Sequence, residues 1–281
     1  VVSKEEVTHT VTSVVKRYPL VTFFILTYIF SWWGYFIPGL EVGQIPLGPV
    51  VAALIVVPIT GGKAGLKEWA SRIVRWRVGL KWYAIALTLP MALAVAAVTL
   101  NVLMGTAALT FAHLSDPVDL LLILFIEVFL IVGLGEEPGW RGYALPHLQE
   151  GRSALSATLI LAVFGVIWHV PLFLTGDSPW SNIPIIVAGY IFFTWLFNNT
   201  RGSVLIALIL HTSANAARMI FAPMFSGADA TRYFWLLTAL YIVVGIAVVI
   251  LAGPARLSRR PEAQWEATGL AAQPLATPQQ S

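Results

Sequence analysis

Long apolar runs separated by short polar connections dominate the chain. A helix that crosses a bilayer needs about 20 mostly apolar residues. Eight stretches reach or approach that length, near 20–37, 45–61, 82–104, 118–135, 155–175, 183–198, 203–221 and 233–252. The stretches 45–61, 118–135 and 183–198 are short, as spans that tilt or line a cavity can be. The alternating ten-residue pattern of a membrane β-barrel is missing, and the sequence shows no internal repeat. The pattern therefore predicts an all-α fold, a polytopic membrane bundle of about eight transmembrane helices forming one domain over 20–255.

Composition sharpens this. The 281 residues are 58% hydrophobic and only 11% charged, with a mean hydropathy of +0.79. Soluble domains carry roughly 25% charged residues, so an ordinary soluble enzyme and a disordered chain are both excluded. The chain has no cysteine, which removes disulfide scaffolds, thiol nucleophiles and cysteine-ligated metals.

With so few charges, their placement is informative. Fifteen of the seventeen basic residues fall before the first span, in alternate connections, or in the tail, the densest set being Lys63, Lys67, Arg72, Arg75, Arg77 and Lys81. The remaining connections hold Glu41, His113, Asp116, Asp177 and Asp229, with Arg232 as their one cation. The positive-inside rule then places both termini in the cytoplasm. An integral, multi-pass protein of a prokaryotic plasma membrane is expected, with the bilayer as its first partner and no nucleic-acid partner.

Two segments lie outside the core. Residues 63–81 carry Leu66, Trp69, Ile73 and Trp76 at helical spacing among basic residues, which suits either a helix on the inner leaflet or a solvated loop. Residues 1–19 read as a cytoplasmic N-terminal segment. The last 21 residues, rich in Pro, Gln and Ala, suggest a disordered cytoplasmic tail over 256–281. No small-residue cleavage site follows an early apolar run, so a cleaved signal peptide is not expected.

Ionisable side chains within membrane spans are costly and mark functional sites by default. Here they are Glu127, Glu136, Glu137, Arg141, His169, His211 and Arg218, with Asn215 as an uncharged companion. Glu137 and Arg141 are four apart and share a helix face, which suggests a structural ion pair. Glu136 sits about 100° round the helix and is free for another task. Pro138 should kink or end the helix. His211 and Asn215 also share a face, and small residues at Ala214, Ala216 and Ala217 allow close helix approach. Each of these features also has a plain reading, as an interfacial ion cluster or as interhelical hydrogen bonding. Glu127 and Arg218 fit structural roles best.

Other chemistries are excluded by absence. The sequence lacks a His-Glu-x-x-His zinc helix, a phosphate-binding P-loop and a Gly-x-Ser-x-Gly elbow. Its four Asp, at 116, 119, 177 and 229, lie near outer connections or a span start, which leaves no buried aspartyl dyad. A proton-coupled carrier using Glu127, His169 and His211 would be expected to show repeat symmetry.

Three motifs on separate spans, over roughly 118–218, carry a family resemblance: Glu136-Glu137-Pro-Gly-Trp-Arg141 with its Gly-Tyr-Ala-Leu-Pro extension, then His169, then His211 with Asn215. In order and spacing they resemble the CAAX-protease and bacteriocin-processing family of intramembrane endopeptidases, which includes the type II CAAX prenyl endopeptidases. One departure is visible: the position four before His169, a Phe in the family, is Gly165, and Phe164 or Trp168 is left to supply the aromatic.

The resemblance implies an endopeptidase acting near the cytoplasmic face on a membrane-associated peptide or protein, prenylated or not. It implies that Glu136 and His169 activate water, that His211 and Asn215 hold the oxyanion, and that Glu137 and Arg141 support them. A zinc ion on Glu136, His169 and His211 is compatible with it, and so is a metal-free mechanism. The same family resemblance also allows a non-catalytic membrane scaffold or bacteriocin-immunity protein.

Overall fold

The computed structural model describes residues 4–37, 43–106, 109–114 and 116–259, and the regular structure among these residues is helical. We number the helices α1 (Lys4–Arg17), α2 (Pro19–Trp32), α3 (Gly48–Ile73), α4 (Leu80–Leu103), α5 (Pro117–Gln149), α6 (Ala154–Trp168), α7 (Val170–Thr175), α8 (Ile183–Asn199), α9 (Val204–Phe221) and α10 (Gly227–Ala252). Seven of them, α2 to α5 and α8 to α10, are long and apolar enough to cross a membrane when the short turns at their ends are included. The 15-residue α6 is apolar but shorter. The protein is thus an all-α, multi-pass membrane bundle.

Lipid tails are as apolar as leucine, so packing rather than water exclusion holds such helices together. Two packed groups result. In one, Phe23 and Phe24 of α2, Ala52, Ala53 and Val56 of α3, Trp140 and Tyr143 of α5 and Leu161 of α6 are buried together. In the other, α4, α8, α9 and α10 meet through Leu93, Phe192, Leu196, Ile206, Leu210 and Tyr241. The seam between the groups lies where α5 and α6 face α8 and α9.

Close approach of α3 to α5 depends on Gly135 and Gly139, four residues apart. A β-carbon on Gly135 would stand 2.5 Å from the Pro46 carbonyl oxygen, and one on Gly139 would stand 2.4 Å from that of Pro49. Such small-residue seams let membrane helices touch backbone to backbone.

Four segments differ from the sequence reading. The span expected at 118–135 runs on to Gln149, so Glu136, Glu137 and Arg141 lie within a helix rather than at its end. Pro138 does not stop it. Wide π-type turns at Ile123–Gly133 and Trp140–Ala144 flank the ordinary α-turns of Leu134–Gly139, which hold Pro138; such turns recur at functional sites.

The span expected at 155–175 breaks at His169, which sits between α6 and α7, with Pro171 in the first turn of α7. Proline is tolerated there because that turn has no intrahelical N–H bond to lose.

The basic segment 63–81 is partly neither a leaflet helix nor a solvated loop. Gly62, at φ 59° and ψ −154°, breaks α3, a conformation that suits a residue without a β-carbon. Beyond it a helical arm folds against α5. Trp69 donates its indole N–H to the Pro138 carbonyl at 2.9 Å, and Arg72 donates to the Gly142 carbonyl at 3.1 Å. Past Ile73 the chain leaves the helix, and Trp76 is exposed.

The C-terminal end is also docked. Ala255 and Pro254 carbonyls accept from the Ala154 and Leu155 N–H groups, at 2.7 and 3.0 Å, capping donors that a helix start leaves open. Asn198 donates to the Arg256 carbonyl and Asn199 to the Leu257 carbonyl, with Leu257 fully buried. Residues 256–259 are therefore ordered, in contrast to the disorder expected from 256 onward. The rest of the expected tail, 260–281, lies outside the described residues, as does Glu41.

Candidate active site

Glu137 is the hub of the polar cluster. It is fully buried on α5, and its Oε1 accepts from Arg141 Nη1 at 3.1 Å, one turn on. The same oxygen lies 2.8 Å from His211 Nδ1 on α9. The i,i+4 pair thus exists, and it reaches across the seam to a second helix, which spacing alone does not show. A buried pair of this kind is costly to break from one side, about 3–5 kcal/mol, because the remaining charge is stranded. Glu137 Oε2 and Arg141 Nε and Nη2 are buried without a hydrogen-bond partner among the described residues, which leaves them to solvent or to a bound polar group.

Arg141 is further fixed by α8. Its guanidinium carbon stands 4.4 Å from the Tyr190 ring centre and 3.9 Å from that of Phe193. Cations held against aromatic faces gain about 2 kcal/mol when desolvated. Phe193 also meets the His211 ring edge-on at 5.9 Å. Tyr190 and Phe193 were not singled out from sequence, since aromatics in an apolar span look like core. Their i,i+3 spacing on a polar-facing helix is the one available hint.

His169 is oriented from its own helix. Its Nδ1 lies 2.7 Å from the Gly165 carbonyl, and only Nδ1–H can donate to a carbonyl, so Nε2 carries the free lone pair. The Trp168 ring stands edge-on to His169 at 4.9 Å and to Trp140 at 6.2 Å, with its N–H on Ser31 Oγ at 2.8 Å. Phe164 faces away and stacks on Phe24 at 3.8 Å.

The glycine at 165 now has a physical reason. A β-carbon there would lie 1.9 Å from the Tyr190 hydroxyl oxygen. The space belongs to the tyrosine that covers Arg141.

Glu136 is buried, with Trp140, His211, Glu137 and Arg141 as its polar neighbours. It has no ion-pair contact among the described residues, in contrast to Glu137. His169 in turn has His211 as a neighbour. Asn215 Nδ2 donates to the His211 carbonyl at 3.2 Å, keeping one N–H for another acceptor. The structure thus brings Glu136, Glu137, Arg141, His169, His211 and Asn215 into one region at the seam. Glu127 and Arg218 do not join it: both are exposed on the outer surface of the bundle.

The donor chemistry of Glu136, His169 and His211 suits zinc, since each imidazole has its Nδ1 engaged and a carboxylate stands beside them. The geometry does not: among the described residues no three His, Asp or Glu side chains are gathered closely enough to hold one ion. No step is therefore derived through a metal.

Residues 118–217 match the family described as Type II CAAX prenyl endopeptidase Rce1-like. A curated protein of Methanococcus maripaludis, named CAAX prenyl protease 2, is 24% identical over 202 residues, covering 66% of this chain and 72% of its own length. The matched segment contains every side chain of the cluster, from Glu136 to Asn215. The resemblance read from the three motifs is borne out over the helices that carry them, and in that segment the chain is similar to the type II CAAX prenyl endopeptidases.

Proposed function

We propose that the protein is an intramembrane endopeptidase that hydrolyses a peptide bond of a membrane-associated peptide or protein near the cytoplasmic face. The observation that carries this reading is the division of labour between the paired glutamates. Glu137 is spent on Arg141 and His211, while Glu136 stands beside them without an ion pair. A carboxylate kept uncommitted next to two oriented imidazoles is an arrangement for moving a proton.

In the proposed reaction, water lies between Glu136 and His169 Nε2. Its O–H bond breaks towards Glu136 as its oxygen bonds to the scissile carbonyl carbon. The oxyanion that develops accepts hydrogen bonds from Asn215 Nδ2 and from the Nε2–H of His211, which acts as the imidazolium with its Nδ1–H held by Glu137. When the tetrahedral intermediate collapses, the C–N bond breaks and the proton on Glu136 passes to the leaving amine. Tyr190 and Phe193 act as positioning residues through Arg141. These steps are written with protein groups alone.

The name of the curated relative points to prenylated CAAX peptides as the substrate class to try first. The deciding experiment reconstitutes the purified chain in proteoliposomes with a farnesylated CAAX peptide and follows cleavage by mass spectrometry. Wild-type protein should release the C-terminal fragment and Glu136→Ala should not. Equal turnover by the two would eliminate the proposal.

A further inference from the structure

At the membrane face where the basic connections gather, the start of α4 and the ends of α8 and α10 enclose a cleft of about 310 Å³. Its walls include Trp82 and Trp195, which meet edge-on at 5.5 Å, together with Val248 and Leu251. Two cations, Lys81 and Arg259, are among its lining residues, and none of the described residues that line it is acidic. The cleft therefore combines an apolar bed with two positive charges.

The placement of both cations is built. Lys81 Nζ lies 5.0 Å from the Trp82 ring centre. Arg259 is delivered by the docked C-terminal segment: the buried Leu257 anchors it, Asn199 holds the Leu257 carbonyl at 2.9 Å, and Arg259 Nε donates to the Leu251 carbonyl. The guanidinium is thus tied to the end of α10 beside the apolar wall. Arg77 and Arg201 lie near in the chain to the lining residues Lys81 and Asn199, with Arg201 Nη2 donating to the Arg77 carbonyl at 2.6 Å, and they add positive charge to this face.

We propose that this cleft binds an anionic phospholipid, its phosphate between Lys81 and Arg259 and an acyl chain along Trp82, Val248 and Leu251. Basic pockets between membrane helices at the interface suit acidic headgroups, and tryptophans settle at headgroup depth. A zwitterionic lipid offers the same chains without net charge, so the two cations make the selection. A bound lipid would bridge α4, α10 and the C-terminal segment. It would also brace the end of α8, whose middle turns carry Tyr190 and Phe193.

The test measures thermal unfolding of the purified full chain in detergent with added phosphatidylglycerol, phosphatidylcholine or inorganic phosphate. Phosphatidylglycerol should raise the wild-type midpoint by about 4 °C or more, with little shift from the other two. Lys81→Gln and Arg259→Gln should each lose most of that shift, and Lys81→Arg should keep it. Native mass spectrometry should show phosphatidylglycerol retained on the wild type and lost from the double variant. Equal shifts from both lipids would overturn the proposal by showing no charge selection. A matching shift from phosphate alone would overturn it by showing a free-anion site, as would a double variant that responds like the wild type. Each readout is independent of peptidase activity, so its failure leaves the catalytic proposal standing.

Discussion

Glu137 Oε1 and His211 Nδ1 lie 2.8 Å apart across the seam between α5 and α9, 74 residues apart in sequence. The second glutamate of the pair, already bound to Arg141, therefore sets the orientation of the histidine on the facing helix. This separates the two carboxylates by task, and the tasks can be tested one at a time.

Glu136→Gln should lower turnover by about 10²–10⁴-fold, the usual contribution of a general base, while the unfolding midpoint changes little. Glu136 makes no ion pair, so its amide replacement strands no charge. Cleavage of the farnesylated peptide and a thermal melt on the same preparation supply both readings.

Glu137→Gln should behave differently. It leaves the Arg141 guanidinium buried against a neutral amide and weakens the grip on His211. A stability loss approaching the 3–5 kcal/mol of a broken buried pair is expected together with lost turnover. Chemical denaturation in mixed micelles measures the first. A variant as stable as wild type would show that the pair is not buried as described.

Gly165→Ala places a methyl group where the Tyr190 hydroxyl stands. Overpacking of this kind costs about 1–3 kcal/mol, and it should push Tyr190 off Arg141. Combining it with Tyr190→Leu should restore stability without restoring full turnover, because the aromatic cover over Arg141 is gone. The double-mutant cycle should show strong coupling; additive effects would contradict the contact.

Chelation should leave turnover unchanged. The three candidate ligands are not gathered into a metal site as they stand, and the proposed steps use only protein groups. Assays after dialysis against a strong chelator, with and without added zinc, decide the matter. Zinc-restored activity would require Glu136, His169 and His211 to close on one ion.

Asn198→Leu should cost about 1–3 kcal/mol by leaving its buried partners unsatisfied. Its amide exchanges two hydrogen bonds with Gln149, at 3.2 and 2.8 Å, and holds the Arg256 carbonyl. Proteolysis should then reach the chain end first, visible as early cleavage near residue 256.

Apolar runs of near-span length made the bundle legible in the sequence, and the i,i+4 spacing of Glu137 and Arg141 made their ion pair legible too. What sequence could not show follows from physics beyond local periodicity. The passage of α5 through Pro138 is flanked by wide turns that leave no mark in hydropathy. The docking of Trp69 and Arg72 beneath α5 depends on a single break at Gly62, just before a segment whose basic, amphipathic pattern suited a leaflet helix or a solvated loop equally. Tyr190 and Phe193 are invisible as site residues until Arg141 is placed between their rings. The link from Glu137 to His211 depends on which helices are neighbours, and no single-chain pattern encodes that.

Gly135 and Gly139 bracket the two glutamates and face, at contact distance, Pro46 just before α3 and Pro49 in its first turn. With that side of α5 pressed flat, Glu137 is carried round to the opposite side, towards α9, and Glu136 falls about a quarter turn away. The rotational setting of α5 is thus locked by two side chains that are missing. Shifting the glycines by one position would turn both carboxylates off their partners while leaving the hydropathy of the helix unaltered.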